Sequence, residues 1–190
     1  QSNGLNNIQG YVNDCSFGLY AAAFKPDYAG QPPHHAMPRA CMEFNDVVMT
    51  IGDYQYNEFR NCNWGIYAVR SMLKVQKGRF YNMNKGGSLY GSAAHKGSAI
   101  VAESKTAVKA GKIQVADCQI DTCEHGIYTE WTTADINNVN ALHVTGNGSY
   151  HLYCNSVNMS TYVGACNIVA GKSGIVFQNS EQATMTAKNN

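Results

Sequence analysis

Apolar and polar side chains alternate one for one in several short runs. Ile127 and Thr129 are interleaved with Tyr128 and Glu130, and Leu152 and Cys154 with Tyr153 and Asn155. A period of two marks a β-strand with one buried face. No window of ordinary helical length carries apolar residues at a 3.6-residue spacing, so the chain is expected to be all-β. The runs are also copies of one another. Asn61-Cys62-Asn63-Trp64-Gly65-Ile66-Tyr67 recurs in variant form as Asp14-Cys15-Ser16-Phe17-Gly18-Leu19-Tyr20 and as Thr122-Cys123-Glu124-His125-Gly126-Ile127-Tyr128.

Following the Ile66 position along the chain gives Leu19, Met42, Ile66, Ile100, Ile127, Leu152 and Ile175, at intervals of 23, 24, 34, 27, 25 and 23 residues. The long interval contains the Gly/Ser-rich stretch 85–97, which is expected to be a loop inserted into one repeat. Leucine-rich repeats and parallel β-helices both use a period in the low twenties. A leucine-rich repeat needs several leucines per unit, whereas this chain has only Leu5, Leu19, Leu73, Leu89, Leu142 and Leu152. The β-helix is therefore the better fit.

On these motifs, and on the runs that follow them (Ser71 to Val75, Thr106 to Ala110, Ser156 to Ser160, Glu181 to Thr184 and Met185), the chain resembles the right-handed parallel β-helix repeat family of the pectate-lyase-like superfamily. The resemblance covers most of residues 8–190. It implies an all-β, right-handed parallel solenoid of about seven coils, of the bacterial surface or secreted type or the phage tailspike type. It is specific for fold and not for function, because that superfamily holds lyases, hydrolases, tailspikes and surface proteins.

Each coil of a solenoid buries its inner face on its neighbours, so 190 residues are read as one domain, 1–190. The inner positions next to the Ile66 column are Ala68, Ala102, Thr129, Cys154 and Phe177. The proline-rich stretch 25–35 reads as a surface excursion, since proline removes ladder donors. The last residues read as a strand that stops uncapped, which suggests further segments of a longer chain. Cys15, Cys62 and Cys123 share one column and Cys118 and Cys166 another, in each case at least two coils apart. At about 4.8 Å per coil that exceeds disulfide reach, so free thiols are expected.

Composition narrows the partners. Net charge is +1, 14% of residues are charged and no basic run occurs, so a nucleic-acid partner is not expected. No stretch of about 20 apolar residues would span a membrane. No zinc-ribbon Cys pair, phosphate-cradling glycine loop or nucleophile elbow is present, so no cofactor and no metal is expected. His34-His35 would need two further ligands to hold an ion.

Stacked repeats turn outward columns into ladders. One position after the Ile66 column lie Tyr20, Glu43, Tyr67, Val101, Tyr128, Tyr153 and Val176. Two positions before it lie Phe17, Ala40, Trp64, Ser98, His125, Tyr150 and Ser173. Tyr20, Trp64, Tyr67, His125, Tyr128, Tyr150 and Tyr153 would form an aromatic stripe suited to sugar rings or to a protein surface, although sheets also recruit tyrosine for cross-strand packing. Three positions after the column, Glu103 and Glu130 would sit on adjacent coils about 5 Å apart, the spacing of a catalytic carboxylate pair or of a solvated ladder. Arg70 is the one arginine expected nearby. Asp117, Asp121, Lys109 and Lys112 are a thin match to a calcium-dependent lyase set. Asp14, Asn61, Asn82 and Thr122 are expected to form a hydrogen-bonded structural ladder.

Because no column assembles acid, base and cation together, the chain is read as non-enzymatic. It is expected to be an extracellular or cell-surface segment, or part of a phage virion, that presents an elongated face to glycan or another protein. A polysaccharide lyase or glycoside hydrolase of the same fold, using Glu103 and Glu130, is the alternative.

Overall fold

A computed structural model describes residues 9–12, 16–18, 40–52, 55–83, 95, 97–104, 111–142, 144, 150–155, 161–168, 173–178 and 185–188. The chain runs in circuits of three strands. The first is β1 (Gln9–Val12), β2 (Ser16–Gly18) and β3 (Ala40–Asn45), and the second β4 (Val48–Ile51), β5 (Asn57–Arg60) and β6 (Trp64–Val69). The third is β7 (Met72–Gln76), β8 (Gly78–Tyr81) and β9 (Ser98–Glu103), and the fourth β10 (Gly111–Ala116), β11 (Gln119–Asp121) and β12 (His125–Glu130). Then come β13 (Thr132–Asn137), β14 (Asn140–Leu142) and β15 (Tyr150–Asn155), and β16 (Thr161–Gly164), β17 (Asn167–Ile168) and β18 (Ser173–Gln178), with β19 (Met185–Lys188) after them.

First, second and third strands stack into three separate sheets, here A, B and C, of seven, six and six strands, and every pairing is parallel. This is an all-β parallel solenoid. About four circuits, β4 through β15, are described nearly in full, and the outer ones fall partly outside the described residues, so the expected seven or so coils are matched only in part. No helix occurs among the described residues, and hence none long and apolar enough to cross a membrane. The insertion expected at 85–97 lies mostly outside them, as does the 25–35 excursion.

The bore is lined by columns. Met42, Ile66, Ile100, Ile127, Leu152 and Ile175 lie in register in sheet C, as the intervals predict. Sheet B stacks Phe59 on Phe80, with ring centroids 4.6 Å apart, followed by Ile120 in register. Sheet A contributes Ile51, Val75, Val115 and Ile136. Each fully buried Ile, Val or Phe is worth about 1.5–3 kcal/mol. Ala68, Ala102, Thr129 and Cys154 are buried as expected, but Phe177, on the edge strand β18, is exposed.

What turns the chain at most of the described corners is one residue in the left-handed region. Between sheets B and C it is Asn61, Asn82 or Thr122; between A and B, Lys77, Asp117, Asn138 or Ala165; between C and A, Asp46, Arg70 or Trp131. That conformation costs a non-glycine residue on the order of 1–2 kcal/mol. Two bonds offset it. The corner N–H donates to the next coil, as Asn61 does to the Tyr81 carbonyl (3.2 Å) and Arg70 to that of Glu103 (2.9 Å). The residue after the corner often reaches back two positions: Cys62 donates to the Arg60 carbonyl (3.3 Å), Cys118 to Ala116 (3.2 Å), Cys123 to Asp121 (3.4 Å), Cys166 to Gly164 (3.3 Å), Ser71 to Val69 (2.8 Å) and Thr132 to Glu130 (2.9 Å). Four cysteines thus do the same corner-closing work as a serine and a threonine. The six described cysteines are free thiols, and Cys15 lies outside the described residues. Cys41, which the columns did not place, also points at the Arg60 carbonyl, beside Cys62.

Polar side chains reinforce the corners: Asn82 Nδ2 donates to Asn61 Oδ1 (2.5 Å), the Asn82 backbone N–H donates to Thr122 Oγ1 (3.1 Å), and Asn138 Nδ2 donates to Asp117 Oδ1 (2.6 Å). Asp14 lies outside the described residues.

Three expectations are corrected. The column of Asn61, Asn82 and Thr122, read in the sequence as preceding a turn at the repeat glycine, is itself the turn, because Gly65 and Gly126 sit inside β6 and β12. A Cβ on Gly126 would lie 2.0 Å from the His151 carbonyl oxygen, so close backbone approach excludes a side chain there. The first copy of the motif is out of step: Phe17 pairs with Phe59 in sheet B, not with Ala40 and Trp64 in sheet C. And sheet A strands do not follow sheet C at a fixed offset. The run after β9 that pairs with β7 begins at Gly111, not at Thr106.

Two measurements check this account. Gly126→Ala is expected to destabilise by about 3 kcal/mol, the upper end of overpacking, whereas Ala99→Gly in the same column costs about 1 kcal/mol; equal losses in urea unfolding would contradict the close approach. Burial pushes the Cys118 and Cys123 thiols up to about 12. At pH 8 both are expected to resist a thiol-reactive disulfide until denaturant is added, and rapid native labelling at either would show an open corner.

Candidate functional site

The outer face of sheet C carries the predicted ladders, rung by rung. Glu43, Tyr67, Val101, Tyr128, Tyr153 and Val176 are in register. So are Ala40, Trp64, Ser98 and His125, while Tyr150 pairs with Ser173. Alternation along each strand forces these side chains away from the bore. Tyr20, the remaining member of the predicted stripe, lies outside the described residues.

Pointing away from the bore has not left them open. Trp64, Val101, Tyr128 and Tyr150 are buried and form an apolar cluster of their own, with Tyr67 and Tyr153 packed half-buried against it. His125 is buried and stacks on Tyr150 at 4.4 Å and 6°. Tyr128 stacks on Tyr153 at 5.5 Å. The residue that binds this group together is His95, at the end of the insertion. Its ring stacks on Tyr128 at 3.4 Å, its Nδ1 lies 3.0 Å from the Tyr150 hydroxyl, and its carbonyl accepts from Trp64 Nε1 (3.0 Å) and from Ser98 Oγ (2.7 Å). His95 holds a left-handed φ of 62°, which turns both carbonyl and ring onto the sheet. Nothing in its local sequence marks it. The one signal was position, since it precedes Ser98 of the outward column by three residues.

Beside the aromatics runs a polar ladder of Asn45, Val69, Glu103, Glu130, Asn155 and Gln178. Glu103 and Glu130 do face each other on adjacent strands, half-buried, and each is engaged. The Tyr67 hydroxyl donates to Glu103 Oε1 at 2.5 Å, and Asn155 Nδ2 donates to Glu130 Oε1 at 3.2 Å. Arg70 does not serve the pair. Its guanidinium is bidentate to Asp46 and also donates to Asn45 Oδ1 at 2.9 Å. Lys112 lies near the start of β10, Asp117 at the corner after it, roughly 16 Å along the chain, and Asp121 at the end of β11, so the thin lyase set is spread along the coil; Lys109 lies outside the described residues. Among the described residues no three His, Cys, Asp or Glu side chains converge on a possible ion position. His34 and His35 lie outside them.

Electrostatics follow from burial. Desolvation pushes the Tyr128 phenol up to about 12, with Glu130 and Glu103 adding to the rise and Asn155 opposing it. Burial likewise raises Tyr150, against its hydrogen bond with Ser98. Both stay neutral donors or acceptors throughout the physiological range. A folded-state pKa above the unfolded value of about 10 means that folding stability is intact below pH 10 and declines between pH 10 and 12. Ultraviolet titration of the 12 tyrosines is therefore expected to show a late tyrosinate step that Tyr128→Phe reduces and that Tyr128→Phe with Tyr150→Phe removes, with alkaline destabilisation over the same window. A tyrosinate curve complete by pH 11 would contradict the buried placement.

Compared with known protein families, characterised proteins and solved structures, the chain matches none. The parallel solenoid is what stands of its resemblance to the pectate-lyase-like superfamily.

Proposed function

We propose that this chain is a non-enzymatic β-solenoid segment, displayed outside the cell or on a surface, whose elongated outer faces bind glycan or another protein. What carries the reading is the state of the carboxylate pair. An acid and base for glycosidic cleavage need a substrate cleft and a positioning cation. Glu103 and Glu130 lie on a strand face, tied to Tyr67 and Asn155, while Arg70 is committed to Asp46. Rigid parallel rungs present side chains at a fixed repeat, an arrangement that suits an extended ligand or a second surface. The parallel solenoid, a fold that the resemblance associates with bacterial surface proteins and tailspikes, supports the extracellular, surface or virion setting.

The alternative, a polysaccharide lyase or hydrolase, draws on the adjacency of the two carboxylates in register. Incubation with a panel of acidic and neutral polysaccharides separates the two. The expected result is no release of reducing or unsaturated ends. Cleavage that drops a hundredfold or more in Glu103→Gln or Glu130→Gln would sink the binding reading, since loss of a general acid or base costs about that much.

A further inference from the structure

On the outer face of sheet A, one group of polar side chains is unspent. Lys74, Gln114 and Asp135 form one ladder across β7, β10 and β13, and Gln76, Ala116 and Asn137 form the next. Together they line a shallow groove of about 190 Å³. Among the described residues none of Lys74, Gln76, Gln114, Asp135 and Asn137 has a side-chain hydrogen bond or ion pair. Lys74 and Asp135 stay apart because Gln114 occupies the rung between them, and two rungs are roughly 9.6 Å. The small Ala116 leaves the depression. Continuing the two ladders, Tyr162 follows Asp135 and Gly164 follows Asn137. A Cβ on Gly164 would lie 2.2 Å from the Tyr162 hydroxyl oxygen and 2.6 Å from Cζ, so the ring lies flat along its own strand over the glycine, 37% exposed.

We infer that this groove is an oligosaccharide site, with Tyr162 as the platform for one sugar ring and the two ladders as hydrogen-bonding partners for hydroxyls. This rests on the reading of the chain as a binding solenoid and assigns the ligand and the face. A sugar offers vicinal hydroxyls that both donate and accept, and the groove offers an ammonium donor, a carboxylate acceptor and three amides that do both. The flat phenol face suits the apolar face of a pyranose. A peptide adding to a sheet needs a free edge, but β7, β10 and β13 are interior strands paired on both sides. A polyphosphate would meet Asp135 in the middle of its path.

The test is a titration of the whole chain with cello-, xylo- and chito-oligosaccharides and dextrins, with a neutral peptide and inorganic polyphosphate as comparators, followed by the side-chain amide resonances. One saccharide class is expected to shift Gln76, Gln114 and Asn137 while Asn155 stays still. Lys74→Ala, Asp135→Asn and Tyr162→Ala are each expected to weaken that binding about tenfold at unchanged melting temperature, since all three side chains face outward. Silence of the three amides with every saccharide, or shifts produced there by the peptide or polyphosphate instead, overturns the inference. Shifts confined to Asn155 overturn it too but leave the binding reading intact, and cleavage of the sugars in the same tubes overturns that reading.

Discussion

The constraint on which the rest depends is the corner. A three-sided solenoid must turn sharply three times per circuit without breaking the parallel ladder, and a single left-handed residue does this in one step. Asn61, Asn82, Asp117 and Asn138 are residues for which that conformation is least costly, but Arg70, Lys77 and Trp131 adopt it as well. They do so because the corner N–H still reaches the carbonyl of the next coil, as Trp131 reaches Asn155 at 3.2 Å. A side-chain donor on the following residue then closes the turn. About 1 kcal/mol from each of two hydrogen bonds is enough to balance the backbone cost.

This constraint explains the cysteines. A thiol is small enough to sit against the bore wall and still donate to the carbonyl two residues back, and burial keeps it protonated, so it combines a hydrophobe's fit with a donor's role. Ser71 and Thr132 fill the equivalent place at the corners between sheets C and A, and Gly78, Met83 and Val139 take it where no side-chain donor is supplied. The N-C dipeptide of the repeat is thus a corner signature, with the left-handed residue first and its closing donor second.

Sheet C was legible in the sequence because one motif spans a corner and the strand after it, so the Ile66 column and both outward columns fall on their rungs from Met42 to Ile175. Sheets A and B were not legible by the same means. The link from C to A is a single residue at Trp131 but runs from Ser104 to Ala110 after β9, and a fixed offset cannot follow it. The first circuit failed for a related reason. Its Asp-Cys and Gly-Leu-Tyr elements imitate the motif, but Phe17 and Gly18 pair with Phe59 and Arg60, the strand before the corner rather than after it. His95 was invisible because it acts from inside an insertion, where no column exists to reveal it.

The two outer faces then show how a solenoid divides its surface. Aromatic rings placed on successive rungs at 4.4 to 5.5 Å find one another, and His95 lies across them, so these rings pack against each other within the fold. Hydrogen-bonding groups on the same spacing behave differently. An amide or a charge is solvated as well alone as in a weak surface pair, so rungs that separate Lys74 from Asp135 leave both unspent at little cost. In this solenoid the aromatic ladder is engaged in packing, whereas the amide and charge ladder beside Ala116 keeps its side chains without partners among the described residues.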